Sequence, residues 1–245
     1  MTKLSVNINK IALLRNARGR NFPDVRDFAA RCLQLGAHGI TLHPRPDQRH
    51  ARYSDVAELG ALCAEHGAEL NVEGYPTPDF INVVMNARPA QCTLVPDAPG
   101  QLTSDHGWDV AQHAKMLAPL IARLNTCGIR TSLFVDATYG PMEIAREIGA
   151  DRIELYTEPY ALAFGSAQQD MQLAQFRTAA TRARAVGLGV NAGHDLNLEN
   201  LPAFLSLGDI LEVSIGHALT VECLYHGIDG VIPRYVRIVN GLLGE

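Results

Sequence analysis

Histidine and arginine side chains follow an apolar run early in this chain, in a pattern that suits acid–base chemistry on an anion. Residues 39–50 (GITLHPRPDQRH) begin as a strand-like apolar run, reach His43, and then meet prolines that prevent regular structure from continuing. Arg45 and His50 lie in the loop that follows. An imidazole followed by guanidinium groups suits a phosphorylated small molecule. A polar surface loop with one buried histidine is the alternative interpretation.

The strand that ends at His43 is one of eight predicted β-strands, and helical patterns separate them. Their centres lie near positions 6, 42, 71, 94, 133, 154, 189 and 213, about 30 residues apart, which is the size of one βα unit. Strict alternation over eight units predicts a parallel sheet closed into a (β/α)8 TIM barrel, in one domain over residues 1–245. A doubly wound open sheet is the structural alternative, but residues 7–10 (NINK) are not the glycine-rich turn that usually follows its first strand.

Some helix boundaries can also be predicted from single residues. Pro23 and Asp24 start a helix that is expected to end before Gly36. Ser54 is predicted to cap the helix after the second strand. Pro119 lies inside a predicted helix over residues 108–127, so we expect a kink or two helices there.

The loops that follow the strands of a TIM barrel share one face, and that face holds the active site. Burying titratable groups there without partners costs on the order of several kcal/mol each, so a purely structural barrel has no reason to gather them. Histidines that titrate near neutral pH and a partly desolvated glutamate are suited to repeated proton transfer. The residues at or just beyond strand ends are Asn7, His43, Glu73, Thr103, Glu154, His194, Gly216 and His217.

Several of these residues also have a structural interpretation. Glu73 could form an ion pair with Arg45. His217 could be a hydrogen-bonded histidine of the core. Glu154 lies within a predicted strand and could be an ion-pair partner inside the barrel. The joint pattern is more specific than any one of its members.

The loops after the seventh and eighth strands are the usual phosphate site of such barrels. They read AGHD (192–195) and IGHA (215–218), in which glycines allow backbone N–H groups to approach an anion. Asp195 is unfavourable beside a phosphate, so it could cap the next helix or accept from an amine or hydroxyl of the substrate. Arg45 and His50 form a second candidate anion site. Two phosphorylated substrates, or one bisphosphate, are therefore expected.

Composition argues against several other classes of protein. The 245 residues carry a net charge of -5, which is not typical of a nucleic-acid binder. Five widely spaced cysteines without a CxxC pair favour free thiols in a cytoplasmic protein over a disulfide or zinc framework. The first residues are too polar for a signal peptide, and no apolar run is long enough to cross a membrane. We therefore expect a soluble cytoplasmic protein with no membrane partner.

Seven stretches are specific enough to compare with known families: VNINKIALLRNARG, GITLHPRPDQRH, LNVEG, LVPDAPGQLTSDHGWD, IELYTEPYA, VNAGHDLN and EVSIGHAL. They resemble the pyridoxine 5′-phosphate synthase (PdxJ) family, and the likeness runs over nearly the whole chain. The resemblance implies a (β/α)8 barrel with extra helices that assembles into a homo-octamer. It also implies condensation of 3-amino-2-oxopropyl phosphate with 1-deoxy-D-xylulose 5-phosphate to give pyridoxine 5′-phosphate, inorganic phosphate and water. No metal or organic cofactor is implied.

The resemblance also implies roles for individual residues. His43 and Glu73 would be proton acceptors, His194 the proton donor, and Glu154 a stabiliser of charge in the transition state. The residues that would hold 3-amino-2-oxopropyl phosphate are Asn7, Arg18, Asp195, Gly216 and His217. Those that would hold 1-deoxy-D-xylulose 5-phosphate are Arg45, His50 and Thr103. These roles fit the two anion sites and the acid–base cluster inferred from the residues themselves.

The chain departs from the commonest pattern of this family at two places. Asn9 and Lys10 stand where many members carry Asp-His in contact with the sugar phosphate. Lys10 can supply a positive charge, but neutral Asn9 cannot act as a base. Asp195 stands where many members have glycine, so its contact with substrate would be through the backbone.

Two other functions fit the same fold. A metal-dependent barrel, such as a sugar epimerase, would use four ligands from separate strands, and such ligands have no spacing signature: Glu73, Glu154, His194 and His217. A catalytically silent metabolite-binding or scaffold protein is the second alternative. The presence of His43, Glu73 and His194 together argues against it.

Overall fold

Parallel β-strands form a closed barrel in the computed structural model of this chain, which describes residues 1–97, 101 and 103–242. The strands are β1 (Lys3–Asn7), β2 (Gly39–Leu42), β3 (Glu69–Gly74), β4 (Gln91–Leu94), β5 (Arg130–Val135), β6 (Arg152–Tyr156), β7 (Gly189–Gly193) and β8 (Glu212–Ile215). Each strand pairs with the next in sequence, and β8 closes the ring by pairing with β1. The predicted (β/α)8 barrel is therefore confirmed. The last residues of the predicted domain range, 243–245, lie outside the described residues.

Helices surround the barrel, and some strands are followed by two of them. They are α1 (Asn9–Asn16), α2 (Val25–Gln34), α3 (Tyr53–Glu65), α4 (Pro78–Ala87), α5 (Val110–Thr126), α6 (Met142–Glu147), α7 (Glu158–Ala163), α8 (Gln169–Ala185), α9 (Leu201–Leu205), α10 (His217–His226) and α11 (Ile228–Val239). The sequence pattern did not predict α1 and α7. The first leaves Leu13 and Leu14 exposed and so lacks a single apolar stripe, and the second has only 6 residues. Within the described chain, none of the helices has the length and apolarity that crossing a bilayer requires.

The structure tests the predicted helix boundaries. Gly36 follows α2 with φ of +100°, as expected of a residue that ends a helix. The prediction that Ser54 caps α3 is wrong, because the helix begins at Tyr53 and Asp55 accepts from the backbone N–H of Arg52 at 2.8 Å. The alternative of two helices around Pro119 is also wrong, because α5 continues through that residue. Buried apolar residues on both sides of the proline hold the helix against the barrel.

Most side chains inside the barrel are polar, and most apolar side chains of the strands face the surrounding helices; Phe134, which lines the cavity, is an exception. Successive residues of a strand point to opposite faces of the sheet. Inside, the hydroxyls of Ser5 and Thr41 are 2.6 Å apart, and Thr93 donates to Asn71 Oδ1 at 3.0 Å. Their neighbours along the strands, such as Leu4, pack into one core with the helices.

Acidic and basic side chains pair at the amino-terminal ends of the strands. Glu69, the first residue of β3, accepts hydrogen bonds from Lys3 and Arg130, and Arg152 Nη1 lies 3.5 Å from Glu212 Oε2. Burial alone would raise the pKa of Glu69, but the hydrogen bonds from Lys3 and Arg130 lower it to about 2. This end of the barrel is therefore closed by compensated charges.

A buried ion pair joins α1 to α3 and supports the loop after β2. Arg15 Nη1 and Nη2 donate to the two carboxylate oxygens of Asp55 at 2.8 and 2.9 Å, and both side chains are buried. Arg15 also donates to the carbonyl of His50 at 3.2 Å, and Asn16 Nδ2 donates to the same carbonyl at 2.8 Å. The end of the loop that contains Arg45 and His50 therefore rests on this pair.

Replacing Asp55 should destabilise the protein strongly. Asp55→Ala leaves the Arg15 guanidinium buried without its partner, so we expect the free energy of unfolding to fall by about 3–5 kcal/mol. The exposed pair of Arg26 and Glu65, which also joins neighbouring helices, is the matched control, and Glu65→Ala should cost less than about 1 kcal/mol. Urea unfolding followed by circular dichroism measures both changes. Equal effects of the two substitutions would contradict the weight given to the buried pair.

Candidate active site

A cavity of about 440 Å³ opens at the carboxyl-terminal ends of the strands. It is lined by eleven of the twelve predicted site residues: Asn7, His43, Arg45, His50, Glu73, Thr103, Glu154, His194, Asp195, Gly216 and His217. Arg18 is the exception, because it follows α1, is exposed, and does not line the cavity of a single chain. Its contact with a substrate stays a prediction.

Two glutamates line this cavity, Glu154, which is buried, and Glu73, which is half-buried. Glu73 accepts from Asn7 Nδ2 at 3.4 Å and from Ser214 Oγ at 3.5 Å. Burial, followed by the charge of Asp97, raises the pKa of Glu73 to about 7. Burial and then the charge of Glu73 raise the pKa of Glu154 well above its usual range. Near neutral pH these carboxyl groups hold protons that a bound molecule can exchange.

The space for the Glu154 carboxyl group depends on a glycine of the neighbouring strand. A Cβ atom added to Gly193 would stand 2.3 Å from Glu154 Oε1, so no side chain fits there without moving the carboxyl group. The alternative that Glu154 is an ion-pair partner inside the barrel is wrong for the described residues, in which it has no basic partner within salt-bridge distance.

His43 follows β2, which pairs with the strand of Glu73, and His50 lies in the loop beyond it; both are neutral near pH 7. His43 is buried at the end of β2, and its backbone N–H donates to Asn9 Oδ1 at 2.9 Å. Burial, followed by the charges of Arg45, His50 and Arg49, lowers the pKa of His43 well below its usual value. Burial and the same two arginines lower the pKa of His50 to about 4. A neutral imidazole can accept a proton, so His43 is equipped to act as a base.

The Arg45 guanidinium is held by a carboxylate that sequence analysis did not single out. Arg45 forms a buried ion pair with Asp97, just after β4, and also donates to the Gln101 carbonyl at 3.1 Å. Asp97 also accepts from Ser104 Oγ at 2.8 Å. The alternative pairing of Arg45 with Glu73 is therefore not the one formed. The only sequence signal for Asp97 is its place after a strand that a proline ends.

His194 and Asp195 follow β7 and bring an imidazole and a carboxylate together. Asp195 Oδ2 lies 3.4 Å from His194 Nδ1, and Thr103 Oγ1 lies 3.2 Å from His194 Nε2. The imidazole of His194 beside it lowers the pKa of Asp195, although burial opposes the shift. The alternative that Asp195 caps the next helix is wrong, because α9 begins only at Leu201.

The amino-terminal end of α10 also opens at the cavity. Gly216 precedes the helix, His217 is its first residue, and both line the cavity. Unpaired N–H groups at such an end favour an anion. A Cβ atom on Gly216 would stand 3.0 Å from Asn7 Cβ, so this close approach favours glycine. His217 is exposed, so the interpretation as a core histidine is wrong.

Further residues line the cavity without having been assigned to it from sequence. Lys10 and Arg49 add positive charge, and Asn9 orients the end of β2 through the N–H of His43. The remaining ones are Leu13, Val95, Ser104, Phe134 and Ser214. Their residue types are too common to indicate a role, and α1, which carries Lys10 and Leu13, was not predicted from the sequence.

The four ligands of the metal-dependent alternative are not gathered as a metal site in the part of the chain that the structure describes. The group of three potential ligand residues that does meet there is Glu158, His194 and Asp195, whose ligand atoms lie within 4.8 Å of one another. Glu73, Glu154 and His217 do not belong to it. The geometry therefore does not support that particular ligand set.

These features define a TIM-barrel enzyme whose cavity combines acids and bases with cationic side chains that follow β1 and β2 and with the amino-terminal end of α10. A model of the family described as pyridoxal phosphate biosynthesis protein PdxJ matches residues 4–241. The chain belongs to this family of enzymes.

Named relatives agree with the family assignment. A pyridoxine 5′-phosphate synthase of Xanthomonas axonopodis pv. citri is 54% identical over 247 residues, covering 98% of this chain and 97% of that protein. One of Parabacteroides distasonis is 51% identical over 241 residues, covering 98% and 100%. Among solved structures, a thiamine phosphate pyrophosphorylase from Pyrococcus furiosus matches with a TM-score of 0.62 at 18% identity, over 99% of this chain and 97% of that one. That last likeness concerns the fold alone.

Replacing Glu73 with glutamine should stabilise the protein at alkaline pH. Its pKa rises from 4.5 to about 7 on folding, so the native state binds more protons than the unfolded state between these values, and stability falls as pH rises through them. Glutamine cannot ionise, so at about pH 8 we expect Glu73→Gln to melt at least about 3 °C above the wild type. The difference in melting temperature should vanish or reverse near pH 4, where the Glu73 carboxyl group is largely protonated in both the native and the unfolded state.

The control for this experiment is Glu58→Gln, which changes an exposed glutamate of α3. Its melting temperature should follow that of the wild type at every pH. If Glu73→Gln is no more stable than the wild type at alkaline pH, ionisation of Glu73 does not destabilise the native state, and the prediction is wrong.

Proposed function

We propose that this chain is a pyridoxine 5′-phosphate synthase. It condenses 3-amino-2-oxopropyl phosphate with 1-deoxy-D-xylulose 5-phosphate to give pyridoxine 5′-phosphate, inorganic phosphate and water. The observation that carries the proposal is the placement of a neutral His43 and a Glu73 with a pKa of about 7 in one cavity, between cationic side chains. The names of its relatives support the same reaction.

The proposed reaction needs several acids and bases that act in turn. Imine formation, loss of phosphate and ring closure each move a proton, and general acid–base groups near neutral pKa do this best. In our proposal His43 and Glu73 accept protons and His194 donates one. Glu154 stabilises charge that develops on the reacting molecule. Its raised pKa supports this role, because a protonated carboxyl group can donate a hydrogen bond to a developing negative charge.

The two phosphates are proposed to bind on opposite sides of these groups. One site, for 3-amino-2-oxopropyl phosphate, uses the amino-terminal end of α10, and its residues are Asn7, Arg18, Gly216 and His217, together with the backbone of Asp195. The other, for 1-deoxy-D-xylulose 5-phosphate, uses Arg45, His50 and Thr103. His50 would act as a neutral N–H donor there, because its pKa is about 4 and its Nδ1 already accepts from Ala51. The Arg45 guanidinium would bind the phosphate while it keeps its ion pair with Asp97.

We further propose that the chain acts as a single barrel domain within a cytoplasmic homo-octamer. The helices α1 and α10 are in contact, and both carry exposed apolar residues, which an assembly would cover. These residues are Leu13, Leu14, Leu224 and Tyr225. The five cysteines are free thiols, which supports a reducing compartment.

Purified full-length protein should convert the two phosphates to a product with pyridine absorbance. His194→Ala removes the proposed proton donor, so we expect the rate to fall by at least about 100-fold with an unchanged circular dichroism spectrum. Pretreatment with EDTA should leave the wild-type rate unchanged. Full turnover by His194→Ala would rule out the assigned role, and loss of activity on chelation would favour the metal-dependent alternative.

Replacing Arg45 should weaken binding of the sugar phosphate selectively. Because Arg45→Met alone would leave Asp97 buried without its partner, the test uses the double variant Arg45→Met/Asp97→Asn. We expect KM for 1-deoxy-D-xylulose 5-phosphate to rise by about tenfold or more, with KM for the amino ketone within about twofold. Arg52→Met is the control, since Arg52 binds Asn16 and does not line the cavity. Equal increases in both KM values would contradict the two-site assignment.

A further inference from the structure

The turn after β7 places two consecutive residues in the left-handed region of backbone conformation. His194 has φ of +89° and Asp195 has φ of +58°. Residues other than glycine adopt such backbone angles at a cost in free energy, and aspartate is one of the few that tolerate them. Glycine would relieve this cost at residue 195, so the carboxylate is present despite the strain.

Buried side chains hold this turn in place. The Thr157 hydroxyl contacts the carbonyl oxygens of Gly193 and His194, and Asn200 Nδ2 donates to the carbonyl of Asp195 at 3.1 Å. Thr157 and Asn200 are both buried. The directions in which the two side chains of the turn leave the backbone are therefore fixed by hydrogen bonds on both sides.

The two ring nitrogens of His194 meet different environments. Nδ1 is buried, makes no hydrogen bond within the described residues, and has Asp195 Oδ2 3.4 Å away, whereas Nε2 lies 3.2 Å from the Thr103 hydroxyl, which lines the cavity. The ring of Tyr156 packs edge-on against the imidazole, with centroids 5.1 Å apart. Asp195 is ionised near neutral pH, because the adjacent imidazole of His194 lowers the pKa of its carboxyl group. A carboxylate beside one ring nitrogen determines which nitrogen carries the proton in the neutral ring.

We propose that Asp195 is a positioning residue, which holds the Nδ1–H of His194 so that Nε2 faces the cavity and exchanges protons with the substrate. Asp195 then acts through His194 and need not touch the substrate. The inference rests on the proposed function in one respect, the role of His194 as proton donor. It differs from the binding role that the family resemblance implies for Asp195, because the carboxylate is directed at the imidazole.

The tautomer of His194 tests this proposal without turnover. Full-length protein labelled with [15N]histidine, in EDTA and without substrate at about pH 8.5, is studied by magic-angle spinning NMR, which an assembly of any size permits. Loss of signal in His194→Gln assigns the two ring nitrogens. We expect Nδ1 to carry the proton in the wild type and a mixture of both tautomers in Asp195→Gly.

The matched control is Asp209→Gly, which changes an exposed aspartate that also has positive φ, +55°, and lies outside the cavity. Both substitutions give the same backbone freedom, but only the first should change the His194 tautomer. In steady-state kinetics Asp195→Gly should lower kcat by about 10- to 100-fold with KM for both phosphates within about twofold. Asp209→Gly should change neither value.

Two results would overturn the proposal. One is a His194 tautomer that is the same in the wild type and in Asp195→Gly. The other is a rise in KM for 3-amino-2-oxopropyl phosphate with kcat unchanged, which would make Asp195 a substrate contact. If the wild type shows no turnover, the proposed function fails, but the NMR comparison still decides whether Asp195 holds the imidazole.

Discussion

The distribution of charge along the inside of the barrel is the constraint on which the site depends. Glu69 and Glu73 are four residues apart on β3 and so share its inward face. Lys3 and Arg130 reach Glu69 and lower its pKa to about 2, whereas desolvation and then the charge of Asp97 raise the pKa of Glu73 to about 7. The same residue type is thus a permanent anion at the amino-terminal end of the strand and a proton carrier at its carboxyl-terminal end.

This division of charge has a cost that other parts of the fold offset. A buried carboxyl group with a raised pKa opposes folding at neutral pH, as groups at functional sites often do. Packing of the helices on the apolar face of the strands and buried pairs such as Arg15 with Asp55 act in the opposite direction. That pair also supports the loop that carries Arg45, so stability and the geometry of the cavity are linked through the same contacts.

The fold and the location of the site could be predicted from the sequence, because βα units repeat at nearly constant spacing and strand ends meet at one face. Positions were less accurate: β7 spans Gly189–Gly193 and so extends further along the chain than its predicted centre near position 189 implied. Asp97 was missed because its partner Arg45 is 52 positions away, and pairing between strands leaves no spacing signal. The pKa values of Glu73 and His43 depend on burial, which residue type alone does not give. The left-handed backbone conformation at Asp195 could not be predicted either, since an aspartate in a sequence indicates positive φ far less strongly than a glycine does.

Gly193 and Glu154 lie on neighbouring strands, and the Glu154 carboxyl group occupies the space that a side chain at residue 193 would need. Because a methyl group on Gly193 would collide with the carboxyl oxygen of Glu154, neither position can drift in evolution independently of the other. A lineage that acquired alanine at 193 would have to lose or redirect the acid at 154 in the same step or soon after. The two sites are therefore expected to be inherited as a unit, and a homologue that lacks the glycine is expected to have abandoned the chemistry of the glutamate.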